Sequence, residues 1–159
     1  MKIIIFFLCV FISFGMMGNN DYFLEFKAKH QIKNFQLVLA YFIDGKSCPS
    51  CLYIHGYSIN AAKDYLKYYN MENKVRIFAM VDIDRKIELK SALKKYDWMD
   101  EYEVFIGKDS RKLFGIDSDV KVCLFDSNGK VLFTSSIDNR TGYADKLIEA
   151  IDENLILKE

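Results

Sequence analysis

The fold is decided by the stretch FQLVLAYFIDGKSCPSC, which runs from Phe35 to Cys51. Its opening run, up to Ile43, is almost entirely apolar and aromatic, which predicts a buried strand. The next four residues, DGKS, are typical of a turn. Cys48 and Cys51 come next, and a helical pattern continues from Pro49 to about Tyr69. The sequence therefore predicts a dithiol at a strand-to-helix turn.

Pro49 is the single proline of the chain. Proline suits the first position of a helix, because its missing N–H would have no partner there and its φ is already helical. Cys48 is then the N-cap, where its sulfur can accept hydrogen bonds from free backbone N–H groups near the positive end of the helix dipole. Both effects favour the thiolate, and Lys46 adds a cation nearby. Cys51 lies one turn further on, within reach of a disulfide with Cys48.

The composition indicates one folded domain with a proper core. The chain has 159 residues, of which 51% are hydrophobic and 15% aromatic, so disorder is excluded. Lysine plus arginine and aspartate plus glutamate each number 22, which gives a formal charge of zero. This balance argues against nucleic-acid binding and against a polybasic membrane-binding surface, because both need a positive excess.

The first 18 residues differ in composition from the rest. Lys2 precedes an apolar run from Ile3 to Ile12, which is a secretory signal pattern and is shorter than the ~20 residues of a spanning helix. We interpret residues 1–18 as a signal peptide or N-terminal anchor, with Cys9 as an apolar filler, and residues 19–159 as one domain. The protein is expected in the periplasm or cell envelope of a bacterium, attached to a membrane only if this leader is uncleaved.

The remaining chain predicts strands interleaved with helices. Partial alternation between Asp21 and Lys33 favours an edge strand, and the pair Asn128-Gly129 marks a hairpin turn. Further strands are predicted at 74–83, 102–106, 120–125 and 130–136, and further helices at 86–96, 110–114 and 141–155. Strands separated by helices imply parallel crossovers, and the hairpin adds antiparallel strands. The predicted class is α/β, a mixed sheet with helices on both faces.

With this order of elements and the Cys-Pro-Ser-Cys motif at 48–51, the chain resembles the thioredoxin-like superfamily over residues 30–155. The hairpin at 122–131 before a terminal helix is the second matching segment. The elements at 81–115 are similar to the insertion found in extracytoplasmic thiol–disulfide oxidoreductases and redoxins. The resemblance implies Cys48 as the attacking thiol and Cys51 as the resolving thiol. It also implies a protein disulfide or dithiol as substrate, an upstream thiol as electron donor, and no dissociable cofactor.

Three positions depart from the pattern of that family. Members usually carry a cis-proline just before the first strand of the hairpin, facing the dithiol, and Val120 stands there instead. Ser47 replaces the tryptophan that precedes the dithiol, and Phe42 stands about where many members have a buried carboxylate. Because a cis bond before valine is costly, we expect a trans bond at Val120 and a differently shaped substrate groove.

Two other classes of function remain open. Cys48, Cys51 and His55 are spaced i, i+3 and i+7, so in a helix they share one face and could hold Cu(I) or zinc. The other alternative is a redox-inert thioredoxin-like binding domain. Cys123 lies within a predicted strand and is expected to be a buried structural cysteine.

Overall fold

A computed structural model of the protein describes residues 19–44, 49–82, 103–136 and 143–156. The predicted leader at 1–18 and the predicted helix at 86–96 lie outside these ranges. The elements are α1 (Asn19–Lys29), β1 (Leu37–Asp44), α2 (Pro49–Tyr68), β2 (Val75–Asp82), β3 (Glu103–Ile106), α3 (Ser110–Leu113), β4 (Val122–Asp126), β5 (Val131–Ser135) and α4 (Tyr143–Ile156).

The strands form one mixed sheet in the order β3-β2-β1-β4-β5. β1 pairs with β2 in parallel, with Leu37 opposite Val75, and β2 pairs with β3 in parallel. β4 is antiparallel to both β1 and β5. The predicted combination of parallel strands and a late antiparallel hairpin is therefore confirmed.

β1 lies at the centre of the sheet and is buried along almost its whole length. Its alternate side chains enter two cores, one on each face of the sheet. Leu39 and Tyr41 belong to the core under α2 and α4, which also holds Ile59, Ala62, Leu66, Leu147, Ile151 and Leu155. Ala40 and Phe42 belong to the core under α1 and α3, which also holds Phe23, Phe26, Phe78, Phe114 and Phe125. Helices thus cover both faces, as predicted.

The edge strand predicted between Asp21 and Lys33 is wrong, because most of this segment is helix α1. Phe23 and Phe26 are three residues apart, so a helix turns both toward the sheet, while Leu24 between them remains exposed. The ring of Phe23 lies 4.9 Å from that of Phe125 in β4. Packing against the aromatic core decides this element, and the short alternating pattern carries no information about that packing.

Candidate functional site

Three residues of the predicted dithiol motif, 49–51, form the start of α2. β1 ends at Asp44 and α2 begins at Pro49, so the predicted first helical position is the one found. Cys48 and Lys46 lie outside the described residues. Cys51 falls in the first turn of α2, which continues without interruption past His55 to Tyr68.

Several segments meet at one edge of the sheet, which we call the carboxyl edge. It comprises the ends of β1, β2 and β3, at Asp44, Asp82 and Ile106, and the start of β4 at Val122. Because β1 leads directly into the dithiol motif, this edge is the one that neighbours the motif. Catalytic and binding groups in open α/β sheets typically lie outside the carboxyl ends of the strands.

Val120 lies at the carboxyl edge, just before β4. The antiparallel ladder pairs Tyr41 with Val122, and the Phe42 N–H continues it by donating to the Lys121 carbonyl at 2.8 Å. Val120 is buried, and no cis peptide bond occurs among the described residues, so the bond before it is trans. The fold therefore brings the loop at 117–121 next to the end of β1.

Phe42 occupies its position in β1 as a fully buried side chain. Its ring lies 5.6 Å from that of Phe114 and forms part of the aromatic core under α1 and α3. The acidic group of this strand is instead Asp44, two residues later. The sequence predicts a turn from Asp44 onward, but Asp44 is the last residue of β1 and pairs with two cations.

Those two cations are Arg111 and Lys121. Arg111 Nη1 donates to Asp44 Oδ1 at 2.7 Å, and Lys121 Nζ donates to Asp44 Oδ2. Partial burial by itself would raise the pKa of the Asp44 carboxyl. The hydrogen bonds and positive charges of Lys121 and Arg111 outweigh that effect and hold the pKa of Asp44 below its usual value. Asp44 is therefore an ionised carboxylate at neutral pH.

Arg111 is the buried member of this group, with a relative exposure of 9%. Besides its contact with Asp44, its Nε donates to the Val120 carbonyl at 2.6 Å and its Nη2 donates to the Phe42 carbonyl at 2.8 Å. One guanidinium thus joins α3, β1 and the loop before β4. Nothing in the sequence marks Arg111 as a site residue, since a basic residue beside Lys112 is typical of an exposed turn.

Cys123 lies in β4 opposite Ala40 of β1 and is fully buried. Its thiol is free, and burial raises its pKa to about 12. A thiol with such a pKa is almost entirely protonated at neutral pH and is a poor nucleophile. The prediction that Cys123 is a buried structural cysteine is confirmed.

Within the described ranges, no helix is long and apolar enough to cross a membrane. The same part of the chain contains no cluster of three or more histidine, cysteine, aspartate or glutamate residues suited to a metal ion. The candidate metal set of Cys48, Cys51 and His55 stays a prediction, because Cys48 lies outside the described residues.

Comparison with solved structures identifies the fold. No protein-family model matches the chain, and no curated protein sequence matches it significantly. A protein of Chlorobium tepidum assigned as the thiol:disulfide interchange protein DsbE superposes with a TM-score of 0.59 and 18% identity, over 79% of this chain and 84% of that chain. The thioredoxin domain of a Bacteroides vulgatus thiol-disulfide oxidoreductase gives a TM-score of 0.53 and 14% identity, over 76% of this chain and 79% of that one.

A secreted disulfide oxidoreductase of Mycobacterium tuberculosis, described as homologous to the DsbE of E. coli, gives a TM-score of 0.50 and 10% identity. The superposition covers 74% of this chain and 81% of that chain. Together with the sheet order and the helices on both faces, these likenesses show that the protein has the thioredoxin-like fold. The predicted fold class is confirmed, and the predicted resemblance is confirmed as a likeness of fold.

Proposed function

We propose that this protein is an exported thiol–disulfide oxidoreductase that uses Cys48 and Cys51 to reduce or exchange disulfides in proteins of the cell envelope. The observation that carries the proposal is the start of α2 at Pro49, directly after the central strand of a thioredoxin-like fold. A Cys48 that immediately precedes this helix would lie near its free backbone N–H groups and the positive end of its dipole, which favour a thiolate. The solved structures of similar fold include proteins named for thiol–disulfide chemistry, and one of them is secreted.

The exchange needs two successive displacements at sulfur. The Cys48 thiolate attacks one sulfur of a substrate disulfide, forms a mixed disulfide and releases the other substrate sulfur as a thiolate, which takes up a proton. Cys51 then loses its proton and attacks the Cys48 sulfur, so the Cys48–Cys51 disulfide forms and the second substrate thiol leaves. The substrate gains two electrons and two protons, and an upstream dithiol donor returns the protein to its reduced form.

Cys123 takes no part in this chemistry, and it supplies a matched control. Reduction of insulin disulfides by the full-length protein is followed with dithiothreitol as electron donor. We expect the wild-type protein to accelerate the reaction and Cys48→Ser to abolish the acceleration. Cys51→Ser should accumulate the mixed disulfide, since the resolving thiol is gone, and Cys123→Ala should keep the wild-type rate. Wild-type turnover in Cys48→Ser, or loss of turnover in Cys123→Ala alone, would contradict the proposal.

Metal binding is the second candidate function, favoured by the continuity of α2. Cys51 and His55 lie four positions apart in one unbroken helix, which is a spacing that places residues on a common face. A metal-binding protein would take up one equivalent of Cu(I) or zinc, would lose reactivity toward alkylating agents on doing so, and would bind more weakly after His55→Ala. It would not catalyse insulin reduction. The two candidates therefore give opposite results in the same pair of assays.

A further inference from the structure

Within the described residues, the ladder between β1 and β4 ends at the carboxyl edge, where a side chain donates to two backbone carbonyls. Its last backbone bond joins Phe42 N–H to the Lys121 carbonyl, and the Lys121 N–H donates away from β1, to Ser135 of β5. The carbonyls of Phe42 and Val120 both belong to buried residues. A buried carbonyl needs a donor, because water cannot supply one there.

Arg111 supplies both donors. Its Nε reaches the Val120 carbonyl and its Nη2 reaches the Phe42 carbonyl, at 2.6 and 2.8 Å, while its Nη1 holds Asp44. A guanidinium carries five N–H donors in a rigid plane, so it can fix three acceptors at once in set directions. A lysine ammonium lacks that planar fork. Arg111 therefore joins these acceptors through a side chain from α3.

Within the part of the chain that the structure describes, the loop at 117–121 has few other links to β1. Val120 N–H bonds within the loop to the Asp117 carbonyl, and the Phe42–Lys121 bond is the last rung of the ladder. Lys121 adds its ion pair with Asp44, but its side chain and that of Asp44 are partly exposed, at 27% and 47%. Exposed pairs of this kind contribute little to stability. The buried contacts of Arg111 are thus the main fixed link between this loop and the end of β1.

This link matters because of what the end of β1 leads to. On the β4 side, the loop at 117–121 is the next described segment along the carboxyl edge from Asp44, the last described residue before the dithiol motif. With the dithiol beside the end of β1, as proposed, an extended substrate chain approaching from that side would pass along this loop. A displacement of its backbone would therefore misplace a long substrate, whereas a small disulfide has no need of the loop.

We propose that Arg111 is a positioning residue for protein disulfide substrates, which it serves by holding the loop at 117–121 against the end of β1. The inference rests on the proposed oxidoreductase function. Arg111 would act through the backbone of Val120 and Phe42, and it need not touch the reacting sulfurs. Its loss should affect large substrates through KM and leave the chemistry of the dithiol intact.

The test compares Arg111→Met with the wild-type protein on two substrates, insulin and the small disulfide 5,5′-dithiobis(2-nitrobenzoate). We expect kcat/KM for insulin to fall about tenfold, chiefly through KM, since misplacement of a binding element costs this much or more. The rate with the small disulfide should stay within about twofold, on the same principle. Arg111→Lys keeps the charge beside Asp44 and should recover only part of the insulin activity.

Arg76→Met is the matched control. Arg76 is another partly buried arginine, paired with Glu103 and lying over the ring of Phe35, but it sits near the opposite end of β2 from Asp82. The Arg76→Met variant should reduce both substrates at wild-type rates. Where near-UV dichroism shows that Arg111→Met is unfolded, Arg111→Lys carries the same comparison between the two substrates.

Three outcomes would overturn the inference. Equal losses with insulin and with the small disulfide would show a general structural role, and wild-type kinetics in a folded Arg111→Met would show no role at all. In both of these cases the proposed function would stand. A wild-type protein that reduces neither substrate would instead remove the proposed function together with this inference.

Discussion

At the scale of single residues, Asp44 makes the stability of the protein depend on pH. Its carboxylate is bound by Arg111 and Lys121, which hold its pKa below the ordinary value of 3.8. A carboxyl whose pKa is lowered in the folded state stabilises the protein above its unfolded pKa. That stabilisation is lost as the pH falls through the folded pKa. The cluster should therefore make the protein lose stability progressively as the pH falls from the unfolded pKa of aspartate through the lower folded pKa.

The first prediction concerns Asp44→Asn. At neutral pH the substitution should lower the free energy of unfolding by about 1–2 kcal/mol, because it leaves the buried Arg111 without its anion while the exposed part of the pair is screened. As the pH falls below 3.8, the wild-type carboxyl takes up its proton and the difference between the two proteins should shrink toward zero. Urea unfolding at a series of pH values measures this difference.

Asp82→Asn is the control for that experiment. Asp82 lies opposite Asp44 on β2, so its substitution removes one negative charge from the same edge and leaves the contacts of Arg111 and Lys121 intact. A destabilisation by Asp44→Asn that stays constant from neutral pH to acid would show that the ion pairs are not its cause.

Single residues also mark the limit of what the sequence predicts at the site. The motif at 48–51 and the buried Cys123 are recognisable from residue type and position. Arg111 is not recognisable in this way, because its role depends on two backbone carbonyls to which its side chain donates. One of them belongs to Val120, which precedes the first residue of β4. Which backbone carbonyls need a side-chain donor depends on the strand pairing of the folded sheet, and residue types alone do not give that pairing.

At the scale of elements, the β4–β5 hairpin is closed by a turn that is tied to α1. The Asp126 carboxylate accepts hydrogen bonds from the N–H groups of Asn128 and Lys130, at 2.8 and 3.0 Å. Gly129 has a φ of +87° and lies against the ring of Phe23. A Cβ atom added at Gly129 would lie only 2.7 Å from Cδ1 of that ring. The turn therefore needs glycine for its backbone conformation and for the close approach of α1.

The second prediction follows from that contact. Gly129→Ala should lower the free energy of unfolding by more than the ~1–2 kcal/mol expected for a left-handed conformation alone, because the new methyl group also displaces Phe23. Gly115→Ala provides the comparison, since Gly115 is exposed and has a φ of +66°. Thermal or urea unfolding of both variants gives the two values. Equal destabilisation would mean that the contact with Phe23 costs nothing.

The elements that the sequence predicts best are those with a strong local signal. The apolar run of β1, the Asn-Gly turn and the amphipathic α4 all fall within a few residues of their predicted places. The sequence predicts a strand in place of helix α1, because two buried phenylalanines are too few to establish the 3.6-residue period of a helix. Its conformation is decided by rings contributed from β2, β4 and the segment after α3, such as Phe78, Phe125 and Phe114.

At the scale of the whole molecule, the two described cores are built from residues outside the motif at 48–51. The two cores are built from the alternate faces of the sheet and from the helices on each side. A disulfide between Cys48 and Cys51 would close a very small loop, so its contribution to stability through chain entropy would be modest. A dithiol with that freedom can change its redox state while the fold stays intact.

The most direct test of the proposed function is a redox titration of the full-length protein in glutathione buffers. At each ratio of reduced to oxidised glutathione, free thiols are alkylated and located by mass spectrometry. We predict one two-electron transition in which Cys48 and Cys51 change together, with Cys123 remaining a free thiol throughout and the near-UV dichroism of the folded protein preserved. A protein in which Cys48 and Cys51 do not pair at any buffer ratio, or which unfolds when they are reduced, would contradict the account.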